Sequence, residues 1–451
     1  MIPTVPPIHP LPDLQPALLD LVGDLSLCTR CGACKTACPT YLVDLQESRS
    51  ARGRLVLSEG AITGRLPWLD EALIDDLFSC LDCKDCETRC PSGVRLTKIF
   101  QGVREEMVLR GRQSGSAPDG LAACHPLVGR VIPFLLTRPR LMGAAMRLAG
   151  PLRLMLERWG WLGRWVGRGR RVWPQVGGPM LQQGYPSVIQ LTDRRQNCIG
   201  RIAFFVGCAT AFWEQTTGRN TIALLTRLGY EVVLPDEVCC GTPARALGDR
   251  AAQEKMARLN VQQMADLKVD AIVAICASCG HSLKGYGDLL GDEASKAFSS
   301  KVLDIHQFLV DRVDLPGLIA SGQVEVTPIQ ERITWHDPCH LARAQGVVRQ
   351  PRQLLDAVAP NWVDLPDAGR CCGSGGARMF TEYHHADALR QSKVTSIVSS
   401  GVDGVVTGCP ACRLHLEDGL GFEGRNAGNA QQLVDVLLQA VQPGGKWHGS
   451  C

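Results

Sequence analysis

Short apolar runs in the second half of the chain alternate with segments of helical periodicity. Residues 202–206, 271–275 and 404–407 are apolar over the length of one buried strand each. Between them, residues 220–228 and 251–267 repeat apolar positions every three to four residues, as amphipathic helices do. Strands that alternate with helices predict a parallel α/β sheet in this part of the chain.

The first half of the chain has a different pattern. Residues 1–21 form a proline-rich lead that ends in a short helical segment, and residues 47–60 and 71–78 also have a helical pattern. Farther along, residues 130–171 carry ten arginines and a single acidic residue, with tryptophans among them. Such a segment fits a surface that docks on a membrane or a partner. The alternative is a helical linker whose arginine stems pack flat on the other domains.

Five cysteines recur with nearly the same spacing in the second half of the chain. The first cysteine precedes an adjacent pair by 31 positions in one copy and by 32 in the other, and the pair precedes a C-x2-C motif by 36 and 37 positions. This agreement predicts two duplicated domains. The cysteines are Cys208, Cys239, Cys240, Cys276 and Cys279 in the first copy, and Cys339, Cys371, Cys372, Cys409 and Cys412 in the second.

The repeated cysteines follow the predicted strands, so the carboxyl ends of the strands are expected to gather them at two sheet edges. Gly241 and Gly373 follow the adjacent pairs and allow the backbone to turn closely about a metal. Five thiolates exceed what one cubane cluster needs, so further metal centres are predicted. Zinc in one copy and a core of buried cysteines are the alternatives.

A second cysteine pattern, C-x2-C-x2-C-x3-C-P, occurs twice before residue 92. This is the spacing of two-cluster ferredoxins, in which the fourth cysteine of each run binds the other cluster. The rule predicts one [4Fe–4S] cluster on Cys28, Cys31, Cys34 and Cys90, and another on Cys38, Cys80, Cys83 and Cys86. Structural zinc and disulfides are the alternatives, but zinc sites usually separate their C-x2-C pairs by a longer spacer.

Composition narrows the class of protein. The net charge of +3 and the aromatic content of 5% argue against a nucleic-acid binder. The 21 cysteines in a chain of 451 residues, without a secretory leader pattern at the start, indicate metal ligands rather than disulfides. No apolar run approaches the roughly 18–20 residues of a membrane span, so the cytoplasm is the expected location, with attachment to the inner membrane face as a variant.

The chain resembles the iron–sulfur subunit family of glycolate oxidase over residues 20–440. The resemblance lies in the two ferredoxin runs, in the segment from Ala51 to Arg54, and in the duplicated pattern of an adjacent cysteine pair followed by glycine, called a CCG domain. A similar architecture occurs in lactate-utilisation iron–sulfur proteins, in the corresponding iron–sulfur component of anaerobic glycerol-3-phosphate dehydrogenase and in heterodisulfide reductase. The last of these families implies non-cubane iron–sulfur clusters on the ten CCG cysteines.

The resemblance implies a multidomain α+β fold, with a helical two-cluster ferredoxin domain followed by two duplicated α/β CCG domains. We expect a lead at 1–21, the ferredoxin domain at 22–112, an Arg/Trp-rich helical linker at 113–197, and CCG domains at 198–325 and 326–445. Cys124, Cys198 and Cys451 fit no motif and are interpreted as ordinary thiols.

Two functions follow from the resemblance. No G-x-G-x-x-G motif follows a predicted strand and no phosphate-binding loop occurs, so a flavin is expected on a partner, an FAD-binding 2-hydroxy-acid oxidase subunit. This chain would then pass electrons toward a quinone or another acceptor. The alternative is a catalytic subunit of the heterodisulfide reductase type, which reduces a disulfide at the CCG clusters. No catalytic residue is predicted; the cysteines are predicted as metal ligands.

Histidines lie next to several CCG cysteines. His336, His340 and Asp337 flank Cys339, and His281 follows Cys279. They are candidates for proton donors or for hydrogen-bond partners of a cluster. The preferred interpretation is that Asp337 and Pro338 cap the helix that begins after them.

Overall fold

The computed structural model describes residues 8–115, 130–144, 180–190, 198–375, 383–422 and 429–442. It separates the chain into two compact units. The first contains Met1–Phe134, Gly241–Glu254 and Gly373–Leu389, and the second contains Leu135–Cys240, Lys255–Cys372 and Arg390–Cys451. Most of the arginine- and tryptophan-rich segment lies outside the described residues, as do Cys124 and Cys451.

The first unit is helical in its described part, as the sequence predicts. Its cysteines lie in loops and short helices around one long helix, Leu96–Ser114, against which Ala51–Ile62 and Glu71–Phe78 pack. The helices are Pro16–Leu19, Val22–Ser26, Ala33–Thr36, Pro39–Asp44, Ala51–Ile62, Glu71–Phe78, Asp85–Thr88, Leu96–Ser114, Thr242–Ala246 and the start of Arg250–Met264.

Local capping explains where the two helices between the cysteine runs begin. The Ser50 hydroxyl accepts a hydrogen bond of 2.9 Å from the amide of Gly53, and the Asp70 carboxylate accepts one of 2.9 Å from the amide of Leu73. Such N-cap bonds satisfy amides that have no partner within the helix. The helices therefore start after a serine and an aspartate, which are residue types typical of N-caps.

Gly53 permits a close approach between the first turn of helix Ala51–Ile62 and the preceding loop. A Cβ atom at this position would lie 1.9 Å from the carbonyl oxygen of Glu47, a backbone atom that cannot rotate away. We expect Gly53→Ala to destabilise the protein by about 1–3 kcal/mol, the usual cost of overpacking. Thermal unfolding of the cluster-loaded protein measures this. Gly23→Ala, where a Cβ meets nothing within 4 Å, is the control and should leave the melting temperature unchanged or raised.

The second unit contains two sheets. Their strands are β1 (Val188–Ile189), β2 (Gly200–Phe205), β3 (Tyr230–Val233), β4 (Ala271–Ala274), β5 (Val302–Asp304), β6 (Ile333–His336), β7 (Gly404–Thr407) and β8 (Ala430–Gln432). The first sheet has the strand order β1-β3-β2-β4-β5, in which β1 is antiparallel and the others are parallel. The second sheet has the parallel order β6-β7-β8.

The two sheets repeat one topology, which agrees with the predicted duplication. In each copy, the strand before the first cysteine pairs in parallel with the strand before the C-x2-C motif, which in turn pairs with a third strand. In the second copy, a parallel bridge between Thr334 and Val363 stands where β2 pairs with β3 in the first copy. The apolar runs predicted as strands are strands β2, β4 and β7, and each is buried over most of its length.

Helices cover both sheets of the second unit, and several of them join the two copies. Helix Ala277–Lys284 of the first copy packs against helix Cys339–Gln345 of the second, and helix Gln215–Arg227 packs against Leu433–Ala440. The other helices are Gly207–Phe212, the remainder of Arg250–Met264, Tyr286–Leu290, Glu293–Ser300, Ile305–Asp311, Leu315–Ala320, Arg349–Val358, the part of Tyr383–Ser399 from residue 390 onward, and Pro410–Phe422. Helix Ile132–Leu136 contains the position in the sequence at which the first unit ends and the second begins. Among the described residues, no helix has the length and apolarity that crossing a bilayer requires.

Candidate metal centres

The first ferredoxin-type run and the last cysteine of the second run line one pocket at the surface. Cys28, Cys31, Cys34 and Cys90 all border it. Cys31 is exposed and the other three are half-buried. The amide of Val94 points at the Cys90 Sγ atom from 3.4 Å. The structure thus brings together the four cysteines that the spacing rule assigns to one cluster.

The second set lies deeper in the same unit. Cys38, Cys83 and Cys86 are buried and Cys80 is half-buried. Burial is the largest cause of the raised pKa of the Cys86 thiol, and Cys38 and Cys80 lie near enough to raise this pKa further. The cysteine that ends the first run is therefore grouped with the second run, as the crossed ligand pattern of two-cluster ferredoxins requires.

Both runs use the same strained backbone between their cysteines. The residue before the second cysteine and the residue after it have positive φ in each run. Only one of these four positions is glycine; the residues are Arg30 (56°), Gly32 (82°), Asp82 (53°) and Lys84 (60°). Left-handed backbone costs a non-glycine residue roughly 1 kcal/mol. The repetition of this cost in both runs indicates that the loop conformation itself has a function, which is to curve the chain around a ligand.

Two buried arginines lie beside the second set. Arg54 is 1% exposed and donates to the Cys38 Sγ atom at 3.6 Å, to the Thr40 hydroxyl at 3.0 Å and to the carbonyl of Asp76 at 2.7 Å. Arg104 donates to the carbonyl of Cys80 at 2.7 Å. Neither guanidinium forms an ion pair with a carboxylate among the described residues. Buried cations without carboxylates are costly, and an anionic cluster would supply the missing negative charge.

In the first CCG copy, each cysteine lies at the carboxyl end of a strand. Cys208 is in the first turn of the helix after β2, the pair Cys239 and Cys240 follows β3, and Cys276 and Cys279 begin the helix after β4. All but Cys208 are buried. The topology of the parallel sheet thus gathers cysteines that are up to 71 positions apart in the sequence.

Neighbouring polar groups hold the adjacent pair of the first copy in place. The Ser282 and Tyr286 hydroxyls donate to the carbonyl of Cys240 at 2.7 and 3.0 Å, and the Asn260 amide donates to the carbonyl of Cys239 at 3.3 Å. Glu237 accepts from the amides of Val206 and Gly207, and burial raises its pKa to about 8. These residues could not be predicted from the sequence, since their spacing from the cysteines follows no motif.

The second copy places its five cysteines in the same way. Cys339 begins the helix after β6, and Cys409 and Cys412 flank the start of the helix after β7. The Sγ atoms of Cys372 and Cys412 are 3.3 Å apart. Gly373 has a φ of +87°, matching +86° at Gly241 of the first copy, so both glycines make the predicted turn after the pair.

The two groups of five thiols meet. The thiol of Cys276 in the first copy contacts that of Cys409 in the second, and next to them the amide of Ala277 donates to the carbonyl of Gly408 at 3.2 Å. No disulfide joins the 19 cysteines that the structure describes. The ten CCG cysteines therefore form one continuous region of free thiols, which the sequence did not reveal.

The residues around Cys339 differ from their predicted roles in one respect. Asp337 does not cap helix Cys339–Gln345, whose N-cap residue Pro338 makes no side-chain bond. Instead, Asp337 accepts a bond of 2.6 Å from the Trp335 indole and pairs with Arg352 at 2.8 Å. The capping prediction is wrong because the strand end turns the carboxylate toward the sheet. His340 bonds Ser278 at 3.0 Å, and its ring lies 5.1 Å from that of His281.

These donor sets fit soft metal centres. Burial raises the pKa of Cys34 to about 11, and contact with the Cys208 and Cys240 thiols raises that of Cys239 well above its usual range. Thiols with a raised pKa stay protonated without a metal, whereas a bound cation stabilises the thiolates so that their protons are released to water. Soft thiolates bind iron–sulfur clusters or zinc in preference to magnesium or calcium.

Family comparisons agree with this arrangement. A model of the 4Fe-4S dicluster domain matches residues 24–94, and a model of the cysteine-rich (CCG) domain matches twice, at residues 202–284 and 333–417. The chain is therefore an iron–sulfur protein that combines a dicluster ferredoxin domain with two CCG domains.

More particularly, the chain is a homologue of glycolate oxidase iron–sulfur subunits, as the motifs predict. It is 28% identical over 440 residues to the probable glycolate oxidase iron–sulfur subunit of Bacillus subtilis, in an alignment that covers 93% of this chain and 94% of that one. The Escherichia coli glycolate oxidase iron–sulfur subunit is also 28% identical, with the same coverage. One subunit of the dihydromethanophenazine:CoB–CoM heterodisulfide reductase of Methanosarcina barkeri is 25% identical over 93% of both chains. These relatives are subunits of oxidoreductase complexes.

Proposed function

We propose that this protein is the electron-transfer subunit of a flavin-dependent 2-hydroxy-acid dehydrogenase complex. The observation that carries the proposal is the pair of four-cysteine sets in the first unit, one open to the surface and one buried beside cationic side chains. An exposed cluster site suits exchange of electrons with a partner. The similarity to two glycolate oxidase iron–sulfur subunits over nearly the full chain supports the substrate class.

In this proposal, Cys28, Cys31, Cys34 and Cys90 hold one [4Fe–4S] cluster, and Cys38, Cys80, Cys83 and Cys86 hold the second. The ten CCG cysteines hold further iron–sulfur centres or zinc. Clusters supply one-electron transfer when bound. The chain's own part is to provide thiolates, to exclude water from the second set, and to set the charge around it through Arg54 and Arg104.

The two-electron oxidation of a hydroxy acid is assigned to a flavin on a partner subunit. The string G-x-G-x-x-G begins at Gly419, but Gly419 and Gly421 lie within helix Pro410–Phe422 and not after a strand, so it lacks the context of a dinucleotide site. The acceptor is a quinone or another carrier, and we place the complex in the cytoplasm or on the inner face of the membrane.

Isolation of the complex tests the proposal. Tagged protein purified without oxygen from its native host should carry a flavoprotein, and glycolate or D-lactate should reduce its clusters, so that the EPR signals of reduced iron–sulfur clusters appear. The recombinant chain alone is the control; it should contain iron and sulfide but no flavin, and these acids should leave its signals unchanged. The proposal is wrong if flavin stays on the isolated chain, or if no 2-hydroxy acid reduces the clusters of the complex.

A disulfide reductase of the heterodisulfide type is the second candidate. The contact between Cys276 and Cys409 favours it, because it places two thiol-rich centres side by side where both sulfur atoms of a disulfide could be engaged. The relative from Methanosarcina barkeri supports it as well. Oxidation of the dithionite-reduced protein by a small-molecule disulfide, followed by EPR and thiol release, distinguishes this activity from electron transfer alone.

A further inference from the structure

One buried histidine in the second CCG copy lies against a cysteine thiol. His336 is the last residue of β6, and its side chain is 1% exposed. Among the described residues, neither Nδ1 nor Nε2 makes a well-aligned hydrogen bond, but the imidazole interacts with the thiol of Cys372. Buried polar side chains are normally well hydrogen-bonded, so the position of this imidazole requires an explanation.

The imidazole lies among the thiols of the second copy. One ring nitrogen of His336 and the Sγ atoms of Cys372 and Cys412 all lie within 4.8 Å of one another, and all three side chains are buried. Ligand atoms that share one tetrahedral zinc or iron stand roughly 3.5–4 Å apart. Small side-chain movements would therefore bring the nitrogen and both sulfur atoms onto one metal ion.

The first copy lacks this nitrogen. His336 stands three positions before Cys339, and Phe205 stands three positions before Cys208. Both residues end the strand that leads to the first cysteine, and both side chains are 1% exposed. Since each copy has all five cysteines, the residue at this position distinguishes the two donor sets.

We propose that His336 is a ligand of the metal centre in the second CCG copy, so that this centre has mixed thiolate and imidazole ligands whereas the first has thiolates alone. The proposal rests on the metal-binding role assigned above to the ten CCG cysteines. Imidazole is a neutral ligand and thiolate an anionic one, so the mixed centre carries less negative charge. If it contains iron, its reduction potential is then higher than that of a centre with thiolates alone, as with the histidine ligands of Rieske centres. The second copy would thus be the stronger electron acceptor of the two.

The test compares the wild type with His336→Phe, which gives the second copy the residue found in the first. Both are made anaerobically with 15N-histidine, and iron and zinc are counted per chain. If the second copy holds iron, pulsed EPR of the reduced wild type should detect a strong nitrogen coupling that is absent from the variant. If it holds zinc, zinc-edge X-ray absorption should contain imidazole scattering that the variant lacks.

Two further sets of variants keep the result interpretable. His336→Cys should keep the metal content of the wild type but without the nitrogen signal, which separates a lost ligand from a misfolded site. His340→Gln and His281→Gln should both keep the signal. A nitrogen signal that survives His336→Phe, or a wild type without one, overturns the proposal. A wild type with metal in the second copy but no nitrogen ligand on it would contradict this inference alone, whereas a wild type without metal in either CCG copy would contradict the assignment on which it rests.

Discussion

Cys34→Ala is expected to abolish one of the two ferredoxin-type clusters and to interrupt electron transfer to an acceptor. Cys34 lies with Cys28, Cys31 and Cys90 around one pocket, and a cubane cluster needs four thiolates. The variant should lose iron, up to about four atoms per chain, and the EPR signal of one centre. Anaerobic iron and sulfide analysis with low-temperature EPR measures both.

The crossed pairing of the ligands gives this prediction its control. Cys90→Ala, although it lies in the second run, should give the same residual spectrum as Cys34→Ala. Cys38→Ala should instead match Cys86→Ala. Cys198→Ala removes an exposed thiol outside both sets and should leave iron content and spectrum unchanged. If Cys90→Ala gave the spectrum of Cys86→Ala, the proposed ligand sets would be wrong.

Arg54→Gln should lower both the stability of the protein and the reduction potential of the cluster for which Cys38 is a proposed ligand. The guanidinium donates to Cys38, Thr40 and the carbonyl of Asp76 from a buried position. Its loss leaves buried acceptors without donors, at about 1–3 kcal/mol. The positive charge also stabilises the more negative, reduced cluster, so we expect the potential to fall by about 60 mV or more, the one-electron equivalent of a tenfold change in equilibrium constant. Redox titration followed by EPR and thermal unfolding measure the two effects.

Arg52→Gln is the matched control for this prediction. It removes the same charge from the same helix, but the Arg52 side chain is about a third exposed and pairs with Glu47. The potential of the second cluster should therefore stay near that of the wild type. Arg54→Lys keeps the charge but loses the forked donor, so it should retain more of the potential than of the stability. Equal potentials in Arg54→Gln and the wild type would disprove the electrostatic role.

Many of the proposed ligands could be predicted from the sequence, because they are arranged by local spacing. In this motif, two residues separate each cysteine from the next, so a short loop can place three thiolates around one cluster. The spacing in the sequence therefore predicts the loop geometry. The duplication could also be predicted, because two copies of one fold repeat the intervals between the cysteines that follow their strands. The strands β2, β4 and β7 were predicted nearly at their observed bounds because each is a short apolar run.

Only the tertiary structure decided which residues far apart in the chain come into contact. It also decided which of several residues of the same type lies beside a candidate site. The letters of the sequence do not distinguish Arg52 from Arg54, yet packing leaves one partly in solvent and places the other against Cys38. The contact between Cys276 and Cys409 depends on how two copies of the sheet pack together. The place of His336 beside the thiols of Cys372 and Cys412, which suggests a ligand, likewise depends on its burial and on how the chain packs around it. The spacing of the cysteines along the sequence determined which thiols could form a set. Long-range packing determined the charge and the additional donors around these thiols, and no local pattern in the sequence encodes that packing.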